Sequence, residues 1–148
     1  MTLVIRQITD TSFDPILTFF IHILDPCNVF TERQLKPFWR FGSDHIHIAL
    51  DAALQLTGRN VRVVSMPSWE LFAKQNQTYR DRIIDPACTR RLIVEAGCSF
   101  GWERFASRHT AMITLDTFGA SGPFGELAKQ FGFTVENVLA KAKELLAK

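Results

Sequence analysis

Residues 61–75 read VRVVSMPSWELFAKQ. A β-branched run from Val61 meets Ser65-Met66-Pro67-Ser68, and a helical pattern starts at Trp69. Pro67 sets a turn, Ser68 suits the helix cap, and Trp69 and Phe72 are large apolar anchors. A strand that turns straight into a helix is the first half of a βαβ unit. In open sheets built from such units, ligands sit outside the carboxyl ends of the strands. The same turn is therefore the first place to look for a site.

The pattern recurs along the chain. Arg90–Gly97 (RRLIVEAG) is an apolar, β-branched run closed by glycine, and Ala111–Asp116 (AMITLD) is a further strand. Gly119, Gly122, Pro123 and Gly125 form a permissive loop after it, and Glu126–Phe131 reads as a short helix. Thr134 caps the last helix, with Val135, Val138, Leu139, Ala142, Leu145 and Leu146 on one stripe. Upstream, Ser43 caps a helix whose buried face is Ile46, Ala49, Leu50, Ala53 and Leu54, and Gly58 stops it. Strands alternating with helices predict an α/β fold: a mostly parallel, mixed sheet flanked by helices in three layers. Residues 1–41 give weaker signals. TLVIRQI reads as a strand, while Ile16–Leu24 (ILTFFIHIL) is a buried strand or a helix, because so short an apolar run has no decisive period.

The totals bound the function classes. A chain of 148 residues, 47% hydrophobic, has room for one real core. A net charge of +2 with 22% charged residues does not suggest a nucleic-acid partner. Cys27, Cys88 and Cys98 are widely spaced and form no CxxC pair, which reads as reduced thiols in a cytoplasmic protein. The run Ile16–Leu24 is far short of the roughly 20 apolar residues a membrane span needs, and the residues around it do not resemble a secretory leader.

Chemistry-bearing patterns are sparse. No GxSxG elbow occurs. His45 and His47 are two apart on a helix and point to different faces, and His22 and His109 are isolated. Gly42-Ser43 precedes a helix start that could hold an anion, but Asp44 opposes one and neither GxGxxG nor GxxxxGK[ST] is present. Arg80, Arg82, Arg90, Arg91, Arg104 and Arg108 are interleaved with Asp81, Asp85, Glu95 and Glu103, the look of a solvated or interface surface laced with ion pairs. No catalytic, cofactor-binding or metal-ligating residue is assigned. Two weaker candidates remain. The strand ends predict a small-molecule crevice lined by Gly42, Ser43, Ser65, Met66, Gly97, Thr117 and Phe118. The large aromatics with an arginine predict a protein interface of Trp69, Phe72, Phe100, Trp102 and Arg104.

Five phrases then occur in order: GSDHIHIALDAA, VRVVSMPSWELFAKQNQTYRDRII, EAGCSFGWERF, ITLDTFGASGP and FGFTVENVLAKAKELL. Together they make residues 42–148 resemble the C-terminal domain of transketolases, whereas residues 1–41 do not match that family. The resemblance implies a domain that stands beside two others. Those two bind thiamine diphosphate and a divalent ion (magnesium or calcium) and move a two-carbon ketol unit between sugar phosphates in the pentose phosphate pathway. By this resemblance the present chain is structural, contributes to dimer contacts, binds no cofactor itself and is inactive alone. Its partner is protein: a second copy, or the catalytic domains of a full-length or split transketolase. A small-molecule regulatory role is the other alternative. No GDG motif followed by a metal-binding Asn is present, as a truncated or rearranged gene product would explain. The family carries an apolar strand just before its glycine-serine turn, and here that place holds KPFWRFGSD. Either this strand is distorted or Ile16–Leu24 takes its place in the sheet.

Overall fold

A computed structural model describes residues 5–8, 17–21, 48, 51–52, 55–56, 61–66 and 68–147. Five strands form one sheet: β1 (Ile5–Ile8), β2 (Leu17–Ile21), β3 (Val61–Ser65), β4 (Arg90–Val94) and β5 (His109–Ile113). Their order is β1-β3-β2-β4-β5. Strand β1 runs antiparallel to β3, while β2, β3, β4 and β5 are parallel. The sheet is therefore mixed and mostly parallel, as expected.

The ambiguous run Ile16–Leu24 supplies the central strand. Leu17–Ile21 pairs in register with Val61–Ser65 on one side and with Arg90–Val94 on the other. A strand with parallel neighbours on both edges, in a sheet covered on both faces, has no polar face to show in its sequence. Its sequence, LTFFI, is accordingly apolar except at Thr18. The helical reading of this run is excluded, and the segment Lys36–Asp44 lies outside the described residues.

Side-chain alternation along the strands divides the core in two. Val61, Val63, Leu92, Val94 and Ile113 point to one face, where Ala52, Leu56, Ala128, Phe133, Val138, Ala142 and Leu145 cover them. Val64, Ile93 and the partly buried Met112 point to the other, against Met66, Phe72, Ile83, Trp102 and Phe105. The first layer is built by α3 (Phe124–Gln130) and α4 (Val135–Leu146), with the helical residues Ile48 and Ala52 joining it. The second is built by α1 (Trp69–Ala73), α2 (Gln77–Ile83) and a 3₁₀ turn, Trp102–Phe105. The predicted stripe of α4 is fully engaged: Val138, Ala142 and Leu145 are buried, and Val135, Leu139 and Leu146 pack beside them. Of the first predicted helix, Ile48, Ala52 and Leu56 face the core; Ile46, Ala49, Leu50, Ala53 and Leu54 lie outside the described residues.

Caps explain where the helices begin. The Ser68 hydroxyl accepts from Leu71 N–H at 3.2 Å, and Thr134 accepts from Asn137 N–H at 3.3 Å, both as anticipated. Asn76 accepts from Tyr79 N–H at 2.8 Å and starts α2. Arginines finish several ends. Arg62 Nη1 donates to the carbonyls of Arg82 and Ile83 (3.1 and 3.3 Å), and Arg90 Nε donates to Leu145 (3.1 Å). Arg91 Nη1 donates to the Phe105 carbonyl at 2.9 Å. These cations meet the carbonyl ends of helical turns, where the backbone dipole favours them. Arg91 is buried, so the expected solvated ion-pair surface is corrected at this position: its guanidinium is a structural cap. No helix among the described residues is long and apolar enough to cross a membrane.

Candidate functional site

The topology points to one edge. From β2 the chain crosses to β3, and from β3 it returns past β2 to β4. Right-handed crossovers in opposite directions must use opposite faces, and the helices on the two faces are distributed in that way. The order reverses at β2, so the crevice expected of such sheets lies between the carboxyl ends of β2 and β4. Residues following β2 lie outside the described residues; those following β4 are Glu95-Ala96-Gly97.

Glu95 is the residue that sequence reading missed. It follows the last residue of β4 and continues the alternation of Arg91 and Ile93, which places it on the aromatic face of the sheet. Burial pushes its carboxyl up to about 7 from an ordinary 4.5, opposed by hydrogen bonds from the Gly97 backbone and the Trp102 side chain. Its neighbours continue the ladder beyond the strands: Glu95 N–H donates to Ile113 O at 2.9 Å and Leu115 N–H to Gly97 O at 2.8 Å. Within EAGCSFGWERF the glutamate looked like one more charge of a mixed-charge surface. Its position two residues past an inward apolar side chain was the available signal.

The raised value has a consequence for stability. The folded chain holds this proton more tightly than the unfolded chain does. The contribution of Glu95 is therefore most favourable below pH 4.5, declines as pH rises through 4.5 to about 7, and is flat above. Glu95→Gln keeps the shape and removes the charge. We expect it to stabilise the protein by about 1 kcal/mol at pH 8, after allowance for a side chain half open to solvent, and to leave stability at pH 4 unchanged. Chemical denaturation at the two pH values measures this; equal effects at both would contradict it.

Around Glu95 stands an aromatic cluster. The Trp69 and Trp102 rings meet edge to face at 5.1 Å, and Phe105 lies 5.6 Å from Trp102 and 6.2 Å from Phe72. The Arg104 guanidinium lies over the Trp69 ring at 4.7 Å. Gly101 makes the turn that allows this. Its φ is +88°, and a Cβ there would stand 2.7 Å from the Trp69 ring.

A carboxylate staple joins the next two loops. Asp116 Oδ1 accepts from Ser99 N–H at 2.7 Å and from the Ser99 hydroxyl at 3.0 Å, and Oδ2 accepts from the Thr114 hydroxyl at 2.9 Å. Those donors, the Ser99 amide first, hold its carboxyl below the usual carboxylate range.

The predicted crevice residues fare unequally. Gly97 sits at the switch point. Ser65 ends β3 and is buried, and Met66 has 0% exposure and belongs to the core. Thr117 and Phe118 stand outside on an exposed loop. Gly42 and Ser43 lie outside the described residues. The predicted interface also divides. Phe72 and Trp102 are buried, so their apolar surface is already used within the domain. Trp69 is half-buried, while Arg104 and Phe100 are exposed.

Comparison with known proteins adds identity to this geometry. The model of the transketolase-like TK C-terminal domain matches residues 41–134. The transketolase of Geobacillus stearothermophilus is 45% identical over 96 residues, which is 65% of this chain and 14% of that relative. The transketolase from Leishmania mexicana superposes with a TM-score of 0.69 at 33% identity, covering 97% of this chain and 18% of that one. A split-gene transketolase, described as an inactive β4 tetramer, shares the fold with a TM-score of 0.55 at 14% identity, covering 96% of this chain and 42% of that one. The chain thus spans about one-seventh of the length of the Geobacillus transketolase. The family model begins at residue 41, while the structural likeness to the Leishmania transketolase covers nearly the whole chain.

Proposed function

Because the chain belongs to the transketolase-like C-terminal domain family, we propose that it is the structural domain of a transketolase-type assembly. It packs beside thiamine-diphosphate-binding domains, in the same polypeptide or in another, and does not itself carry ketol transfer. The observation that best supports this is how the polar groups at the carboxyl edge are used. Asp116 is surrounded by donors from its own loops, Glu95 takes hydrogen bonds from Gly97 and Trp102, and Arg104 lies over Trp69. Each of these groups builds the edge rather than facing a diphosphate. A diphosphate needs convergent cations or backbone N–H groups, and its magnesium needs clustered carboxylates. Among the described residues, no group of three or more His, Cys, Asp or Glu could hold a metal ion.

Thiamine diphosphate with magnesium, titrated into the purified chain by calorimetry, is expected to give no saturable heat. A ketose phosphate donor and an aldose acceptor are expected to remain unchanged in the same mixture. Saturable binding accompanied by turnover would overturn the reading, since the cofactor supplies the carbanion chemistry on which the reaction depends.

A further inference from the structure

We propose that residues 117–122 are a cleavage site for a serine endoprotease with a deep apolar specificity pocket. The folded chain is cut after Phe118, and the two pieces stay together as one nicked domain. The step is hydrolysis of a single amide. Water adds across the Phe118–Gly119 bond and the C–N bond breaks. The oxygen ends on Phe118 as a carboxylate, and the protons end on Gly119 as an ammonium group.

Exposure and an unengaged backbone coincide in this segment. Every residue from Asp116 to Glu126 is exposed, and Phe118 is wholly so. Among the described residues, none hydrogen-bonds to residues 117–122. A Cβ placed on Gly119 would meet nothing within 4 Å. The chain is pinned only at the two ends of the segment. Asp116 accepts from Ser99 and Thr114 before it, and Glu126 and Leu127 donate to the Pro123 carbonyl after it, at 3.0 and 3.1 Å. An endoprotease holds its substrate as an added strand through main-chain hydrogen bonds. Here the strand can form without breaking a bond of the fold. Loop tips of small residues are where folded proteins are nicked, and Gly119, Ala120, Ser121 and Gly122 follow Phe118.

Phe100 shows that exposure alone does not make such a site. Its side chain is 82% exposed, but the backbone on both sides is engaged. Ser99 N–H donates to Asp116, Trp102 N–H donates to Ser99 O at 3.0 Å, and Gly101 N–H donates to Glu103 Oε2 at 2.7 Å. Extending this turn into a protease cleft would draw the buried Trp102 out of the core. Phe124 is half exposed but opens α3, so a cut there requires the helix to unwind. Both sites become open only through local unfolding, which lowers their cleavage rate by the population of the open state.

The pieces stay together because the part after the cut builds one core layer. Ala128, Phe133, Val138, Ala142 and Leu145 cover the sheet from that side. Arg90, on the other piece, donates to the Leu145 carbonyl at 3.1 Å.

The test treats the full 148-residue chain with a trace of chymotrypsin under native conditions and follows residues 61–147 by mass spectrometry. The first cut in that range is expected after Phe118. The fragment starting at Gly119 should co-elute with the remainder on size exclusion and separate from it in urea. Phe118→Ala is expected to slow cleavage in this loop at least about tenfold, because alanine fills an aromatic pocket poorly. Phe100→Ala should leave the rate unchanged. Subtilisin, which is less selective, should still cut Phe118→Ala within 117–122, showing that the segment remains open. A first cut after Phe100 or within α3 or α4, or no cut in the range, would overturn the site. Separation of the pieces without urea would overturn the nicked domain.

Discussion

Replacing Trp102 by alanine lowers the stability of the chain by about 4 kcal/mol, the usual cost of emptying a large aromatic site in a core. Trp102 is 1% exposed, packs edge to face on Trp69 and against Phe105, and donates to Glu95. The substitution leaves a cavity beneath the β4 loop and withdraws a donor from a half-buried carboxylate, so two costs add. For a domain of this size the midpoint of thermal unfolding should fall by roughly 8–16 °C. Trp102→Phe separates the two costs. It retains most of the ring contact but removes the donor, so it should cost less and raise the Glu95 carboxyl further above 7. A loss below about 1 kcal/mol for the alanine variant would show that the aromatic cluster does not hold this edge.

Gly101→Ala is the second large effect, and its origin is different. A residue with a Cβ at φ +88° is strained by its backbone alone, at about 1–3 kcal/mol. The new methyl would also stand 2.7 and 3.0 Å from two atoms of the Trp69 ring. That ring cannot swing away cheaply, because Trp102 and Arg104 pack against it. We expect a total of about 3 kcal/mol. Gly132 is an internal control. Its φ is +80°, but the atom in the way is the side-chain nitrogen of Asn137, at 2.9 Å. That amide is the far end of a side chain and is held by one hydrogen bond to the Gly132 carbonyl at 2.8 Å, so Gly132→Ala should cost about 2 kcal/mol, mostly from the backbone. Equal losses at the two glycines, measured by urea unfolding, would show that Trp69 contributes nothing at Gly101.

Much of this architecture was written locally in the chain. Ser68 before Trp69 and Thr134 before Val135 mark helix starts because a hydroxyl there satisfies a backbone N–H within the same turn. The α4 stripe was legible because its period matches a helix that buries one side. What the sequence left open depended on distant partners. Ile16–Leu24 became the central strand only because β3 and β4 flank it, and neither neighbour is visible from within the run. The start of β5 was placed two residues late, since His109 and Thr110 are polar edge-strand residues with no apolar signal of their own. The site was less legible than the fold. Phe100 and Trp102 are two residues apart in one phrase, and composition treats them alike. The left-handed turn at Gly101 sends Trp102 into the core and leaves Phe100 in water. Glu95 was hidden for the same reason: its environment is set by Trp102 and by the sheet, not by its sequence neighbours.

The central claim is that this domain serves a transketolase-type assembly by docking rather than by chemistry. Light scattering on an equimolar mixture of the chain with folded thiamine-diphosphate-binding domains of the Geobacillus relative tests it most directly. A single species is expected, with a mass equal to the sum of one chain and one partner unit. Two separate species at their individual masses, at concentrations of tens of micromolar, would contradict it.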